Sequence, residues 1–242
     1  ITDMNFSSYE NEEMITQMVR DFAEKEIRPN IMKWDEAQHF PVDLFKKMGE
    51  LGMMGVFVPE EYNGAGLGYY EYVTIVTEVS RVCGSIGLSV AAHNSLCANH
   101  ILMFGTEEQK KKYLPKLATA EWIGAWGLTE TGTGSDAGGM NTTAVKDGDD
   151  WIINGSKHFI SNAHISDFVV LFASTGTDEQ GRNLLSCFLV DLHQKDVEVA
   201  KGYDCVSHRG YVNNIIHFND CRIPAKNILG EKDKGFELMN VW

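Results

Sequence analysis

The chain has 242 residues, of which 43% are hydrophobic, and carries a formal net charge of −13 at pH 7. This length and apolar content suffice for one large core or two smaller ones. The acidic balance argues against broad nucleic-acid binding, which needs a basic surface to neutralise phosphates. It is compatible with a local anion site built from backbone N–H groups.

The five cysteines favour a reducing compartment. Their number is odd and no two form a C-x-x-C pair, which argues against a disulfide framework or a structural zinc site. No apolar run is long enough to span a bilayer. The first residue is Ile1 and not methionine, so the earlier removal of a targeting segment stays open. We expect a cytoplasmic protein in a bacterium, or a mitochondrial matrix protein if a transit peptide was removed.

The N-terminal half has the patterns of helices. Ser7 and Glu10 predict a capping box, and an apolar stripe with a spacing of four residues follows it. Phe40-Pro41 begins a second helix. Two further helices are predicted at about Tyr69–Val82 and Ser85–Phe104, the second of them buried on several sides because it is mostly small and apolar.

Gly105 predicts the end of that buried helix. Thr106 and Gln109 then predict a capping box for a short helix that ends near Pro115. The C-terminal half changes to the patterns of strands after Trp122. There a strand, an Asp-Gly turn and a second strand are predicted over residues 142–155.

Further β-rich runs follow at residues 167–174, 184–192 and 213–224. Short strands at this spacing predict a small antiparallel sandwich or barrel. From Gly235 the pattern is helical again, and we interpret it as a domain cut at Trp242.

The prediction is therefore an α+β multidomain chain. Residues 1–120 form an N-terminal all-α helical domain, and residues 121–232 form a small antiparallel β-barrel or sandwich domain. Residues 233–242 begin a C-terminal helical domain that is cut off.

The seam between the two halves reads WGLTETGTGSDAGG, residues 126–139. Its threonines and serine supply hydroxyl donors and acceptors, and its glycines let the backbone approach a ligand closely. Such a loop can wrap a flat polar ring or a pyrophosphate. On composition alone, a flexible linker is an equal alternative. The loop lacks the Gly-Lys-Ser/Thr ending of a P-loop and the βαβ context of a dinucleotide fingerprint.

Several segments together resemble one family. The stretch Gly127-Leu128-Thr129-Glu130, with Gly134-Ser135-Asp136 after it, is similar to the acyl-CoA dehydrogenase signature that opens the middle β-domain of these enzymes. Further resemblances lie in WIINGSKHFISNA, HFNDCRIPAKNILG and GTEEQKKKYLP, residues 151–163, 217–230 and 105–115. The resemblance covers nearly the whole chain in order, which is more specific than any single motif.

The resemblance implies an FAD-dependent α,β-dehydrogenation of a fatty or branched acyl-CoA thioester to the trans-2-enoyl-CoA. In the family, a glutamate base takes the α-proton and flavin N5 takes the β-hydrogen as a hydride. The electrons then usually pass to an electron-transfer flavoprotein. The cofactor carries the redox chemistry, and the protein binds and orients it. The resemblance also implies a homo-oligomer, either a tetramer or a dimer.

The start of the seam resembles the part of the family that binds the cofactor. Trp126, Leu128 and Thr129 correspond to the stretch at the pyrimidine side of the flavin, where donors would stabilise negative charge on the reduced ring. Gly134 and Ser135 correspond to positions near the FAD pyrophosphate and the bound thioester chain.

A second cofactor segment is implied at Phe159, Ile160 and Ser161, which resemble an aromatic-isoleucine-hydroxyl triplet. Many members have tryptophan and threonine where this chain has Phe159 and Ser161. The implied roles are to cover the ring and to reach N5. Without the other motifs, the triplet would be read as plain core and a surface hydroxyl.

Ser135, His93 and Tyr211 are the candidate substrate-side residues. His93 lies on a helix that resembles the wall of the acyl pocket, although a core or rim histidine is the commoner role for such a residue. Tyr211 replaces a serine that many members carry near the CoA 3′-phosphate region, so the mode of CoA binding stays open. Glu130 and Asp136 are expected to brace backbone N–H groups and not to act on substrate.

We assign no catalytic residue and no metal ligand within these 242 positions. In the family the base glutamate lies in the C-terminal helical domain, at places that would follow Trp242, and Glu237 matches neither place. We therefore expect that the chain as given does not dehydrogenate a thioester.

Two alternatives stay open. An acyl-CoA oxidase or an enoyl-CoA reductase of the same scaffold would differ in how electrons leave or enter the flavin, and the sequence does not discriminate between them. A non-catalytic binding relative is disfavoured by the retention of Thr129, Gly134, Ser135 and Ser161. The acyl chain length is not readable, because part of the pocket lining is expected beyond Trp242.

Overall fold

A computed structural model describes residues 11–241, and helices make up its first half. The capping box predicted at Ser7 and Glu10 lies outside the described residues. The helices before the sheet are α1 (Glu12–Phe22), α2 (Ile31–Ala37), α3 (Val42–Glu50), α4 (Tyr69–Val82), α5 (Gly84–Ala91), α6 (Asn99–Phe104) and α7 (Glu107–Ala118).

The predicted helix at Tyr69–Val82 is confirmed as α4. The helix predicted over Ser85–Phe104 is also confirmed, as α5 and α6 joined by a π-helical segment, Ala92–Ala98. Gly105 ends it in an extended conformation. Helix α2 was not predicted, since it has only seven residues and none of them is fully buried.

Helix α7 begins at the predicted capping box and ends later than predicted. The Thr106 Oγ1 accepts from the Gln109 N–H at 3.2 Å, and the Gln109 Oε1 accepts from the Thr106 N–H at 3.0 Å. Pro115 lies inside the helix, which continues to Ala118. A proline removes one helical hydrogen bond, but Leu114 and Leu117 are fully buried on this helix, and their packing outweighs the loss.

A sheet of eight strands makes up most of the second half. Its strands are β1 (Gly124–Gly127), β2 (Thr143–Asp147), β3 (Asp150–Ser161), β4 (Phe168–Thr177), β5 (Asn183–Asp191), β6 (Val197–Lys201), β7 (Asn213–Pro224) and β8 (Ile228–Leu229). The order is β6-β7-β3-β2-β4-β5-β8, and β1 pairs with β4 off this path. The predicted runs at 142–155, 167–174, 184–192 and 213–224 are thereby confirmed as strands.

The sheet is mostly antiparallel, as predicted, with a parallel component that the strand pattern did not indicate. Strand β1 runs parallel to β4, and β2 meets β4 in parallel at Thr143 and Ser174. Strands β1, β6 and β8 were not predicted because each has five residues or fewer and, unlike the equally short β2, none is marked by an Asp-Gly turn. A run this short shows little periodicity.

Strand β4 is buried on both faces. Phe168, Val170 and Phe172 point to a core that they share with α7. The alternate residues Val169 and Leu171 point to a second core within the strand-rich half. One core therefore joins the helices to the sheet across the predicted boundary at residue 120.

The helical start predicted from Gly235 is confirmed as α8 (Gly235–Met239). Leu238 of this helix is buried in the core shared by α7 and β4. Among residues 11–241, no helix combines the length and the apolar character needed to cross a bilayer.

Candidate functional site

The two segments expected to hold the cofactor lie side by side. The His158 N–H donates to the Thr129 carbonyl oxygen at 2.8 Å, which places the end of β3 against the residues that follow β1. Trp126 and Ser161 also line one small cavity. Residues separated by about thirty positions in the printed sequence therefore share one surface.

Phe159 and Ile160 point in opposite directions. Phe159 has a left-handed backbone with φ of 57° and a side chain that is 53% exposed. Its ring stacks on Tyr203 at a centroid distance of 4.7 Å. Ile160 is 1% exposed and packs in the sheet core. The Ile160 side chain is therefore part of the core, which leaves its backbone to face a ligand, and its role at the cofactor stays a prediction.

The middle of the seam is open. Gly134 and Ser135 are exposed, and a Cβ atom added to Gly134 would have no neighbour within 4 Å. Just before them, Glu130 and Thr133 exchange backbone hydrogen bonds in a tight turn. The Thr133 hydroxyl is buried and has no hydrogen-bond partner among the described residues. A ligand with polar atoms would find open backbone and an unused hydroxyl here.

The ends of the seam are held by a buried ion pair. The Lys157 Nζ donates to the Glu130 Oε1 at 2.8 Å and to the Leu128 carbonyl oxygen at 3.0 Å. Glu130 also accepts from the backbone N–H groups of Asn141 at 2.7 Å and Thr142 at 2.9 Å. The bracing role predicted for Glu130 is confirmed. The structure gives Asp136 no such contact, so its bracing role stays a prediction.

Burial and charge oppose each other in this pair. Burial lowers the pKa of Lys157 to about 8, against the opposing attraction of Glu130. Burial alone would raise the pKa of Glu130, but the hydrogen bonds from Lys157, Thr142 and Asn141 and the charge of Lys157 outweigh it and hold that pKa at about 2. Both groups are therefore charged at pH 7. Sequence reasoning missed Lys157, because a lysine in a strand is usually solvated.

Tyr211 lies against the candidate flavin hydroxyl. Its hydroxyl forms a short hydrogen bond with the Ser161 hydroxyl, and burial raises the pKa of Tyr211 to about 12. The role on the CoA side expected of Tyr211 stays a prediction. Its polar atom is directed to Ser161, which lies at the end of β3.

His93 lies in the interior, which is the commoner of the two roles weighed for it in the sequence. Its side chain is 2% exposed, and its Nε2 lies 3.0 Å from the Leu117 carbonyl oxygen. Burial lowers the pKa of His93 to about 4, so the ring is neutral at pH 7. It lines the cavity of about 20 Å³ that Trp126 and Ser161 share, which has room for about one water molecule. His93 is therefore an interior residue, and its place on the substrate side stays a prediction.

A second cluster that the sequence did not indicate adjoins Phe159. The His158 Nδ1 lies 3.1 Å from the Tyr203 hydroxyl, and the Ser156 hydroxyl lies 3.1 Å from the His217 Nδ1. Tyr203 is 46% exposed. Because Tyr203 stacks on Phe159, the segment that follows β6 lies against the end of β3 at the exposed face of the site. Tyr203 follows β6 in a segment without periodicity, so no sequence signal placed it here.

A larger cavity adjoins the far end of the seam. It has a volume of about 570 Å³ and is lined by Asp136, Gly138, Gly139, Arg182, Asn183, Phe236 and neighbouring residues. Asn183 Nδ2 donates to the carbonyl oxygens of Gly138 and Met140, at 2.9 Å each. The seam therefore forms one wall of this cavity.

Known proteins match both halves of the chain. The sequence model described as "Acyl-CoA dehydrogenase, N-terminal domain" matches residues 9–121, and "Acyl-CoA dehydrogenase, middle domain" matches residues 125–221. No three or more His, Cys, Asp or Glu side chains within residues 11–241 group into a set that could hold a metal ion.

Individual relatives agree with the family match. A probable acyl-CoA dehydrogenase of Bacillus subtilis is 44% identical over 234 residues, which cover 97% of this chain and 62% of the relative. The mitochondrial short-chain specific acyl-CoA dehydrogenase of Rattus norvegicus is 40% identical over 229 residues, which cover 95% of this chain and 55% of the relative.

A solved acyl-CoA dehydrogenase from Bacillus anthracis, complexed with FAD, has the same fold. Its TM-score is 0.88 at 33% sequence identity, and the match covers 99% of this chain and 40% of that chain. This chain thus spans between two fifths and two thirds of the length of these relatives. From both domain matches and these relatives, the chain belongs to the acyl-CoA dehydrogenase family.

Proposed function

We propose that this chain carries the FAD-binding part of an enzyme that dehydrogenates acyl-CoA thioesters to trans-2-enoyl-CoA. The observation that carries the proposal is the hydrogen bond from the His158 N–H to the Thr129 carbonyl oxygen. It brings both family motifs for the flavin onto one surface. Membership in the family supports the reaction type.

The residues present fit a flavin in three respects. Phe159 offers an exposed aromatic ring, which suits the face of another flat ring. Gly134 offers backbone with open space around it, which suits close approach of a phosphate group. The buried hydroxyl of Thr133 lacks a partner among the described residues, and a ligand oxygen or nitrogen would satisfy it.

The proposed roles follow from these positions. Trp126, Leu128 and Thr129 would hold the pyrimidine side of the ring, and Gly134 with Ser135 would hold the pyrophosphate. Ser161 would offer its hydroxyl to the ring while Tyr211 orients that hydroxyl. When bound, FAD supplies the acceptor for the β-hydrogen of the substrate.

The substrate and partner assignments rest on the family. We infer an acyl-CoA substrate from membership in the family. From the resemblance we infer that the base glutamate lies beyond position 242, that an electron-transfer flavoprotein accepts the electrons, and that the protein forms a homo-oligomer. The location stays our prediction of bacterial cytoplasm or mitochondrial matrix, and relatives of both origins occur.

Flavin retention and substrate bleaching test the proposal. The purified protein is incubated with FAD, freed of excess flavin, and denatured to release what it bound. We expect one FAD per chain. A panel of acyl-CoA thioesters is then added to the protein in its natural length, starting with short chains because the rat relative is short-chain specific. We expect bleaching of oxidised flavin by at least one thioester.

The 242-residue chain by itself is the matched control. It is expected to bind FAD without turning over any acyl-CoA with an artificial electron acceptor. Protein that stays colourless at every FAD concentration would contradict the proposed cofactor. Turnover by the 242-residue chain would contradict the assignment of the base to a later position.

A further inference from the structure

The ammonium group of Lys157 is fully buried, with 0% of its side chain exposed. Its Nζ has three partners, which are the Leu128 carbonyl oxygen at 3.0 Å, the Glu130 Oε1 at 2.8 Å and the Met140 Sδ at 3.7 Å. An ammonium has three N–H donors. All three are therefore directed at one segment of the chain.

Those partners lie at both ends of the hydroxyl-rich seam. Leu128 lies near the start of the seam, Met140 directly follows its last residue, and the Glu130 carboxylate extends the set by accepting from the Asn141 and Thr142 N–H groups. The segment 128–142 is thus closed around a single cation that belongs to strand β3. Gly134 and Ser135, midway between the anchored ends, stay exposed.

A buried ion pair is a costly way to hold a loop. Removing an ammonium and a carboxylate from water costs several kcal/mol for each ion, and an apolar pair of the same size is often as stable. What the pair adds is a fixed position for the two segments that it joins. Leu128 lies directly before Thr129, and Lys157 lies two residues before Phe159. The same side chain therefore fixes the relative position of the two segments proposed to contact the flavin.

We propose that Lys157, acting with Glu130, is a positioning residue that holds the segment 128–142 in register with the end of β3 for FAD binding. The inference rests on the proposed cofactor. Lys157 itself does not reach the exposed surface, so it acts through Leu128, Glu130 and Met140.

The decisive comparison is between Lys157→Met and the double variant Lys157→Met/Glu130→Gln. The single variant leaves a buried carboxylate without its cation, which by itself destabilises the fold. The double variant removes that unpaired charge and is expected to regain the stability that the single variant loses. It does not regain the hydrogen bond to the Leu128 carbonyl oxygen. Exposed Lys195 supplies the control Lys195→Met, which removes one positive charge from the same half of the chain.

Two measurements are made on each protein. The first is the FAD dissociation constant, from quenching of flavin fluorescence, with the visible spectrum of the bound flavin. We expect the dissociation constant to rise about tenfold or more in both Lys157 variants and to be unchanged in Lys195→Met, since loss of one charged hydrogen bond is of this order. The second is the hydrogen exchange of the Asn141 and Thr142 amides without flavin, which we expect to be faster in both Lys157 variants.

The outcomes separate the inference from the proposed function. If the unmodified protein binds no FAD, the proposed function fails, and unchanged exchange at Asn141 and Thr142 would overturn the positioning role as well. If the unmodified protein binds FAD and the stable double variant binds it equally well with the same spectrum, Lys157 has only a role in folding and the inference is overturned.

Discussion

At the scale of single residues, a close backbone contact shapes the site. Gly155 interrupts β3 at a bulge, with φ of 144°. A Cβ atom there would lie 2.7 Å from the Thr142 Cα and 2.6 Å from its Oγ1. This conformation is essentially limited to glycine. The bulge lies two residues before Lys157, so the same glycine lets β3 bend toward the end of the seam.

We expect Gly155→Ala to lower the free energy of unfolding by about 2–4 kcal/mol, because it adds both strain and a backbone clash. Gly148→Ala is the matched control. Gly148 also has a positive φ, of 59°, but a Cβ there would meet nothing within 4 Å. Its expected cost is about 1–2 kcal/mol. Urea denaturation measures the free energy of unfolding of both variants. Equal losses of stability would show that the contact with Thr142 is unimportant.

Glu130→Gln tests the buried pair through pH. The pKa of Glu130 is lowered to about 2 from an ordinary value of 4.5, so its contribution is present above about pH 4.5 and is lost as the pH falls toward 2. The variant is expected to be less stable by about 3 kcal/mol at pH 7. Thermal unfolding at pH 7 and near pH 3 measures this difference. A stability difference between the two proteins that is the same at pH 7 and near pH 3 would contradict the assigned pKa of Glu130.

At the scale of elements, α7 connects the helices to the end of the sheet. Gln109 closes the capping box of α7, and its Nε2 also donates to the carbonyl oxygens of Lys226 at 3.0 Å and Ile228 at 2.8 Å. Strand β8 begins at Ile228. One glutamine therefore caps the start of a helix and fixes a strand more than a hundred residues away.

Gln109→Ala is expected to destabilise the protein more than Thr106→Ala. Loss of the Thr106 cap alone costs about 1 kcal/mol. Loss of Gln109 removes the cap interaction and also leaves two carbonyl oxygens without their donor, for a total of about 2–3 kcal/mol. Chemical denaturation of the two single variants provides the comparison. Equal effects would mean that the bonds to Lys226 and Ile228 do not stabilise the fold.

At the scale of the whole molecule, acid sensitivity follows from buried neutral histidines. Burial lowers the pKa of His93 to about 4, and burial also lowers the pKa of His100. Between pH 6.5 and the lowered pKa values of these histidines, the unfolded chain binds protons that the folded chain does not. Stability therefore falls as the pH is lowered through this window.

His93→Leu is expected to reduce the slope of stability against pH between about 6.5 and 4. The exposed His193 provides a control variant, His193→Leu, that removes a histidine without changing the core. Melting temperatures measured across pH 4–8 give the slope for the unmodified protein and for each of the two variants. A slope in His93→Leu equal to that of the unmodified protein would contradict the burial argument.

Much of the fold is predictable from sequence, and the parts that are not share one cause. Helix α4 and strand β7 were predicted within a residue because their apolar periodicity extends over a dozen positions. Strand β1 was missed because four residues show no periodicity, and its partner β4 lies some forty residues later. Lys157 was missed for a similar reason, since its partner Glu130 is 27 residues away in the chain.

The sequence by itself determined the family and the order of the longer helices and strands, since these depend on local patterns, and it predicted the motif residues from Trp126 to Ser161. The tertiary structure decided which side chains meet. It buried Lys157 against Glu130, directed Tyr211 to Ser161, and withdrew His93 and Ile160 into the interior. Burial and hydrogen-bond partners depend on residues distant in the chain, and folding alone brings those residues into contact.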